Sequence, residues 1–349
     1  MSNLQIGLAV AGGLVLAAVV AHGAWTSRKN APRQPTLETP PEGGQILPQE
    51  PVLDGEVISP GGSPEIVFPA LQRRPAMDAL IDVIATLSLE SSALAVSGEA
   101  AIAAMPATRR AGTKPFSIEG LNTTSHEWES PMPGQRYSSF QAGVQLANRS
   151  GALNEIEYSE FVVKTHAFAD AINATPEFPE MLDEVARARE LDQFACAHDA
   201  QLGFTIRALN ASWSPGFIHQ HSGRLGFVAG AIAGRMVLPA SAEGLPPVLV
   251  LSFDSQAAMA EDPAQSAIRE VSLHLDVAQV QLTEDAFVRM REAALGLAKA
   301  MDGVVTDDDG QPLEPQTMEA IGSELENLYN TLEQRDLAAG SPLARRLFS

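Results

Sequence analysis

Two short runs in this chain hold side chains of the kind that do chemistry. His219-Gln220-His221 offers two imidazoles two residues apart, and Asp307-Asp308-Asp309-Gly310 offers three carboxylates ahead of a glycine. A zinc site takes four donors, and no third His, Cys or acidic residue stands at motif spacing from the two histidines. If that segment is helical, residues two apart also face different sides. An EF-hand calcium loop needs alternating oxygen ligands and a Glu at its twelfth position, which counted from Asp307 is Met318. The acidic run therefore reads as a hairpin turn. No phosphate-cradling Gly-rich loop, Gly-x-Ser-x-Gly or His-Glu-x-x-His occurs. The single cysteine, Cys196, excludes internal disulfides and paired-cysteine zinc sites and reads as a small core residue. The expectation is a protein that is not an enzyme and uses no cofactor or metal.

The elements around these residues begin with a membrane-length apolar run. Leu4 to Val20 carries no charge, and with Ala21 to Trp25 it reaches the length a helix needs to cross the hydrocarbon core. Arg28, Lys29 and Arg33 follow it and no basic side chain precedes it, so the positive-inside rule puts the N-terminus outside and the bulk in the cytoplasm. A cleaved signal peptide would place its basic residues first. The expectation is a retained single-pass anchor in the inner membrane, Leu4 to Trp25, within a segment 1–28. The formal charge of −20 over 349 residues argues against nucleic acid as a partner, because such a binder needs a basic face.

Residues 29–76 read as a flexible spacer holding ten prolines, which deny both helix and central strand. Fully extended in polyproline form, at about 3.1 Å per residue, it would reach on the order of 140 Å. Globular patterning starts near Asp78. Leu80 to Leu87 reads as a strand, and Ser91 or Ser92 as the cap of an Ala-rich helix running to about Met105. Phe116 to Asn122, Tyr137 to Ala147 and Phe161 to Phe168 read as strands, and Pro179 opens a helix. The order then recurs: a strand Leu202 to Leu209, a helix Pro215 to Leu225, three strands (Phe227 to Leu238, Val248 to Phe253, Val271 to Val277) and a helix Thr283 to Met301. Pro315 opens a last amphipathic helix. The element order predicts an α+β fold of two modules, 77–199 and 200–349, the first a degenerate duplicate of the second; the other reading is an ordinary single domain with a long insertion.

Particular words now match a known family. His22-Gly23-Ala24-Trp25-Thr26-Ser27-Arg28-Lys29 resembles the end of the membrane helix in the bacterial cell-division ZipA family. Leu297 to Asp308, followed by Glu314-Pro315-Gln316, resembles that family's helix, Gly-Val-Val strand, acidic turn and Thr-Pro-Gln helix start, with Glu314 in place of the capping Thr. Gly226-Phe227-Val228-Ala229-Gly230 resembles its Gly-Phe strand start. The resemblance covers the anchor and residues 200–335, while 77–199 has no counterpart.

The resemblance implies antiparallel split βαβ (ferredoxin-like) modules. It also implies an adaptor at the division site that tethers the FtsZ ring to the inner membrane by binding the C-terminal tail of FtsZ. The tail would lie on the open face of the second sheet, against Arg207, Leu209, Ile232, Met236, Leu249, Leu251, Phe253, Ser272 and His274. His274 stands where the family has a large aromatic, and Gly234 where it has an aliphatic. The other reading is an anchored envelope or signalling protein whose soluble modules bind a small ligand or carry an unrecognised activity.

Overall fold

In the computed structural model, residues 32–35, 77–90, 95–307 and 309–349 are described. The anchor Leu4 to Trp25 and nearly all of the spacer lie outside them. Among the described residues no helix is long and apolar enough to cross a membrane.

In the first module β1 (Asp82–Leu89) turns Val83, Ala85 and Leu87 into the core, the two-residue alternation of a strand covered on one face. A short β2 (Val96–Ser97) leads into α1 (Gly98–Ala104). Its cap is Ser97, not Ser91 or Ser92; the Ser97 hydroxyl accepts from Ala100 N at 3.3 Å. There follow β3 (Arg110–Ala111), β4 (Lys114–Asn122), β5 (Trp128–Glu129), β6 (Arg136–Gln145) and the small hairpin β7 (Ala147–Asn148) and β8 (Gly151–Ala152).

Phe161 to Phe168, read as a strand, lies inside a helix, α2 (Glu155–Ala171). A capping box starts it upstream: Asn154 Oδ1 accepts from the amides of Ile156 and Glu157 at 3.0 Å, and Glu157 Oε2 accepts from Asn154 N at 3.3 Å. Tyr158, Phe161, Thr165 and Phe168 are buried at helical spacing, so periodicity outweighs the β-branched pair Val162-Val163. β9 (Ala174–Glu177) and α3 (Met181–His198) complete the module. The sheet order is β3-β4-β6-β1-β9, with the named neighbours antiparallel.

The second module runs β10 (Gln201–Ala208), α4 (Pro215–Gly223), β11 (Val228–Ala229), β12 (Arg235–Leu238), β13 (Leu249–Ser252), α5 (Ser255–Ala258), β14 (Glu270–Asp276), α6 (Ala286–Met301), β15 (Gly303–Thr306) and α7 (Pro315–Glu333). Its sheet order is β11-β12-β13-β14-β10-β15, all antiparallel. In both sheets the first strand lies between the last strand of a meander and the strand after a long helix. α6 packs across β10, β14 and β15, burying Met290, Ala294, Leu297 and Met301 on one face.

The boundary at 199–200 falls between α3 and β10, but the second module does not end as a separate unit. Leu332 of α7, Leu337, and Ala344, Leu347 and Phe348 in and beside α8 (Pro342–Leu347) are buried in the core of the first module. Arg346 grips the buried Asp82 with both terminal guanidinium nitrogens, one bond at 2.9 Å. Gln279 Nε2 donates to Phe348 O at 2.7 Å, and Arg149 spans Asp199 and Asp276. Cys196, expected in a core, is exposed on α3.

Candidate peptide-binding face

The strand registers of the second sheet sort its residues into rows running across the strands, because directly opposed residues share a face. One row is Ala229, Met236, Leu251, Leu273 and Phe204. It points at the helices: Met236 is 3% exposed and Leu251 and Leu273 are fully buried. The next row, on the opposite face, is Val228, Val237, Val250, His274 and Gly203. Beside it runs a third row, Arg235, Ser252, Ser272, Thr205 and Thr306. The open face therefore carries an aliphatic stripe over β11 to β13 and a hydroxyl-rich half over β13, β14 and β10, while Thr306 on β15 is buried. At about 4.8 Å between strands the three valines span roughly 10 Å.

A cleft of about 680 Å³ opens on this face, with Ile232, Gly234, Arg235, Val250, Ser252 and His274 among its lining residues. Ile232 comes from the β11–β12 loop and is 59% exposed. Arg235 is also exposed. Arg207 points outward and pairs with Glu270 at 3.1 Å, and Leu209 is exposed just past the strand end.

Of the expected face residues, Arg207, Ser272 and His274 are strand residues on the open side, while Ile232 stands in the β11–β12 loop and Leu209 beyond the end of β10. Met236, Leu249, Leu251 and Phe253 do not lie on that side: they are buried in the core between sheet and helices. Two errors of register produce this. Phe227 to Leu238 is not one strand; it breaks after Ala229 and resumes at Arg235, with Gly234 at φ +75° in the connecting loop. A Cβ at Gly234 would stand 2.6 Å from Phe253 O, so the glycine is required by the turn and offers no side-chain site. In Val248 to Phe253 nearly every residue is apolar, so the period of two has no contrast to show. The larger Leu and Phe side chains go inward and Val250 outward. The signal that would have found the stripe is polar: Arg235 and Ser252 mark the outward parity of their strands.

His219 and His221 serve packing in α4. The His219 ring stands edge-on to Phe253 at 5.8 Å, and His221 lies against Phe217 at 4.3 Å. Burial pushes both imidazoles below their ordinary value, and for His221 the nearby Arg224 and Arg33 add to the effect. Asp307 closes the turn, its carboxylate accepting from Gln311 N at 2.7 Å with Gly310 at φ +81°. Among the described residues no group of three or more His, Cys, Asp or Glu is placed to hold a metal ion.

The first sheet presents a different surface. Its outward row is Gln141, Thr86 and Glu177, with Ser139, Ser88 and Thr175 beside it; Glu119, in the same row, is buried. No aliphatic stripe corresponds to the three valines.

Residues 252–324 match the family model described as ZipA, C-terminal FtsZ-binding domain. No curated protein matches the chain. The matched span runs from the end of β13 through β14, α6 and β15 into α7, and so takes in the His274 and Ser272 side of the open face and the main helix behind it. Within the second module, residues 252–324 are thus similar to the FtsZ-binding domain of the ZipA family.

Proposed function

We propose that the chain is a membrane-anchored adaptor of cell division that binds the C-terminal tail of FtsZ on the open face of the second sheet. The observation that carries this is the FtsZ-binding family match over 252–324, on a sheet whose free face bears an aliphatic stripe beside a cleft. Apolar side chains left uncovered on a sheet mark an interaction site. A short tail laid along Val228, Val237 and Val250, with Ile232 at its edge and Arg235 and His274 flanking it, buries modest area and loses entropy on ordering. Affinity on the micromolar scale, about −8 kcal/mol, follows.

The tether is the uncharged run Leu4 to Trp25 with its basic collar, which places the protein in the inner membrane with its bulk in the cytoplasm. The first module is a diverged copy of the second, each a split βαβ sheet. In support, each runs first strand, helix, meander, long helix, last strand, helix, with a left-handed residue, Asn173 or Asp302, between the long helix and the last strand. The copy has a polar open face, so FtsZ is assigned to the second module alone.

The test is a titration of the full chain, purified in detergent, with FtsZ and with FtsZ lacking its tail. Binding to the first and not to the second is the expected result. Equal binding to both moves the contact off the tail, and no binding to either removes the function.

A further inference from the structure

Before residue 77 the described residues are 32–35, and they lie on the second module. Arg33 forms a parallel bridge with Trp213: its amide donates to Ser212 O at 2.7 Å, and its carbonyl accepts from Ser214 N at 3.0 Å. Trp213 is fully buried, bridges Ile268 on its other side and donates its indole N–H to Met301 O at 2.8 Å. The Arg33 guanidinium donates to Asp302 at 2.6 Å and to Met301 O at 3.3 Å. These are acceptors at the C-terminal end of α6, where the helix carbonyls favour a cation. Pro32 is buried, and Pro35 lies against Gly216 of α4, its ring 3.4 Å from where a Cβ would stand. Backbone pairing, a charge pair and proline packing thus converge on four residues.

The far end of the spacer is held too. Met77 N donates to Glu119 Oε1 at 3.2 Å, and its side chain covers Gly143. The two modules are joined through α8 and Arg149, so residues 36–76 leave and return to one body. We infer that Pro32 to Pro35 is a clip that holds the FtsZ-binding module against the chain just after the anchor, and that the Pro-rich segment is a closed loop, not the leash. The inference rests on the anchor reading for its consequence at the membrane. Only residues 26–31 then separate anchor and clip, a reach of roughly 20 Å at about 3.3–3.6 Å per residue. That replaces the reach on the order of 140 Å available to an unclipped spacer. A short tether raises the effective concentration of the binding face for filaments lying at the membrane.

Two measurements on the full chain decide it. In detergent, hydrogen exchange at the Arg33 and Ser214 amides should be slowed about 100-fold or more against an unstructured peptide, and Arg33→Glu should restore fast exchange at the position-33 amide. Exchange of the wild-type Arg33 amide at the peptide rate overturns the clip, whatever happens at the membrane. In nanodiscs, a donor dye on the exposed Cys196 and headgroup acceptors report height above the bilayer. Inserting a long Gly-Ser segment after residue 50 should leave energy transfer unchanged in the wild type and lower it in Arg33→Glu. A fall in the wild type makes the spacer the leash and overturns the inference. A chain that does not enter nanodiscs refutes the anchor, and the exchange result then decides the clip alone.

Discussion

Leu251 and Val250 are neighbours on β13 with opposite fates, and exchanging their roles is the sharpest test of the open face. Leu251 is fully buried, opposed by Met236 on one side and Leu273 on the other. Truncating it to Ala removes three carbons from a packed layer and leaves a void, so Leu251→Ala should cost about 2–5 kcal/mol of stability. Val250 is half-buried on the other face, between Val237 and His274. Val250→Thr keeps volume and the branched shape a strand favours, so its stability cost should stay below about 1 kcal/mol. Against an apolar partner the new hydroxyl is buried without a hydrogen bond, which costs about 1–3 kcal/mol. That is roughly a 5- to 150-fold rise in Kd. Urea denaturation measures the first effect, and titration with FtsZ tail peptide the second. The assignment of faces is refuted if Leu251→Ala keeps its denaturation midpoint and loses binding. It is equally refuted if Val250→Thr and Val237→Thr both bind as wild type.

Three further outcomes are expected. Gly234→Ala should destabilise by about 1–3 kcal/mol, because φ +75° and the approach to Phe253 O both resist a Cβ; a neutral denaturation curve would show that the loop relaxes freely. Arg346→Ala should cost about 3–5 kcal/mol by leaving the buried Asp82 carboxylate without its cation, seen as an early unfolding transition of the first module; a change within experimental error would mean that α8 does not hold that core. Hydrogen bonds from the Ser241 amide and hydroxyl, with Arg289 beside it, hold the Glu284 carboxyl below its ordinary value of 4.5. Its folded value being the lower, this contribution is present above the ordinary value and lost as pH falls through the folded one. Glu284→Gln should therefore lower stability near neutrality and flatten the acid limb of the stability–pH curve, and an unchanged acid limb would contradict the linkage.

The sequence by itself determined most of what depends on neighbours along the chain. Strands β1, β4, β6, β10 and β14 and helices α3, α4, α6 and α7 were legible because their apolar periods are clean or a proline or acidic first turn marks their start. Polar residues made the outward positions Arg207, Ser272 and His274 readable on the same grounds. The family words at 297–316 were legible because they are local motifs.

Only the tertiary structure decided the rest. Val248 to Leu251 is apolar throughout and Ser252 alone marks the outward parity, so the placing of Val250 outward and Leu251 inward is fixed by which side chains fill the layer beneath α6. The helix at Glu155–Ala171 hid behind β-branched residues because its start lies in a capping box upstream of the apolar run. The closing of the first core by Leu337, Ala344, Leu347 and Phe348, and the seating of Arg33 between Trp213 and Asp302, join residues more than a hundred positions apart. Local sequence pattern carries no record of such pairings, because they exist only once separate surfaces meet.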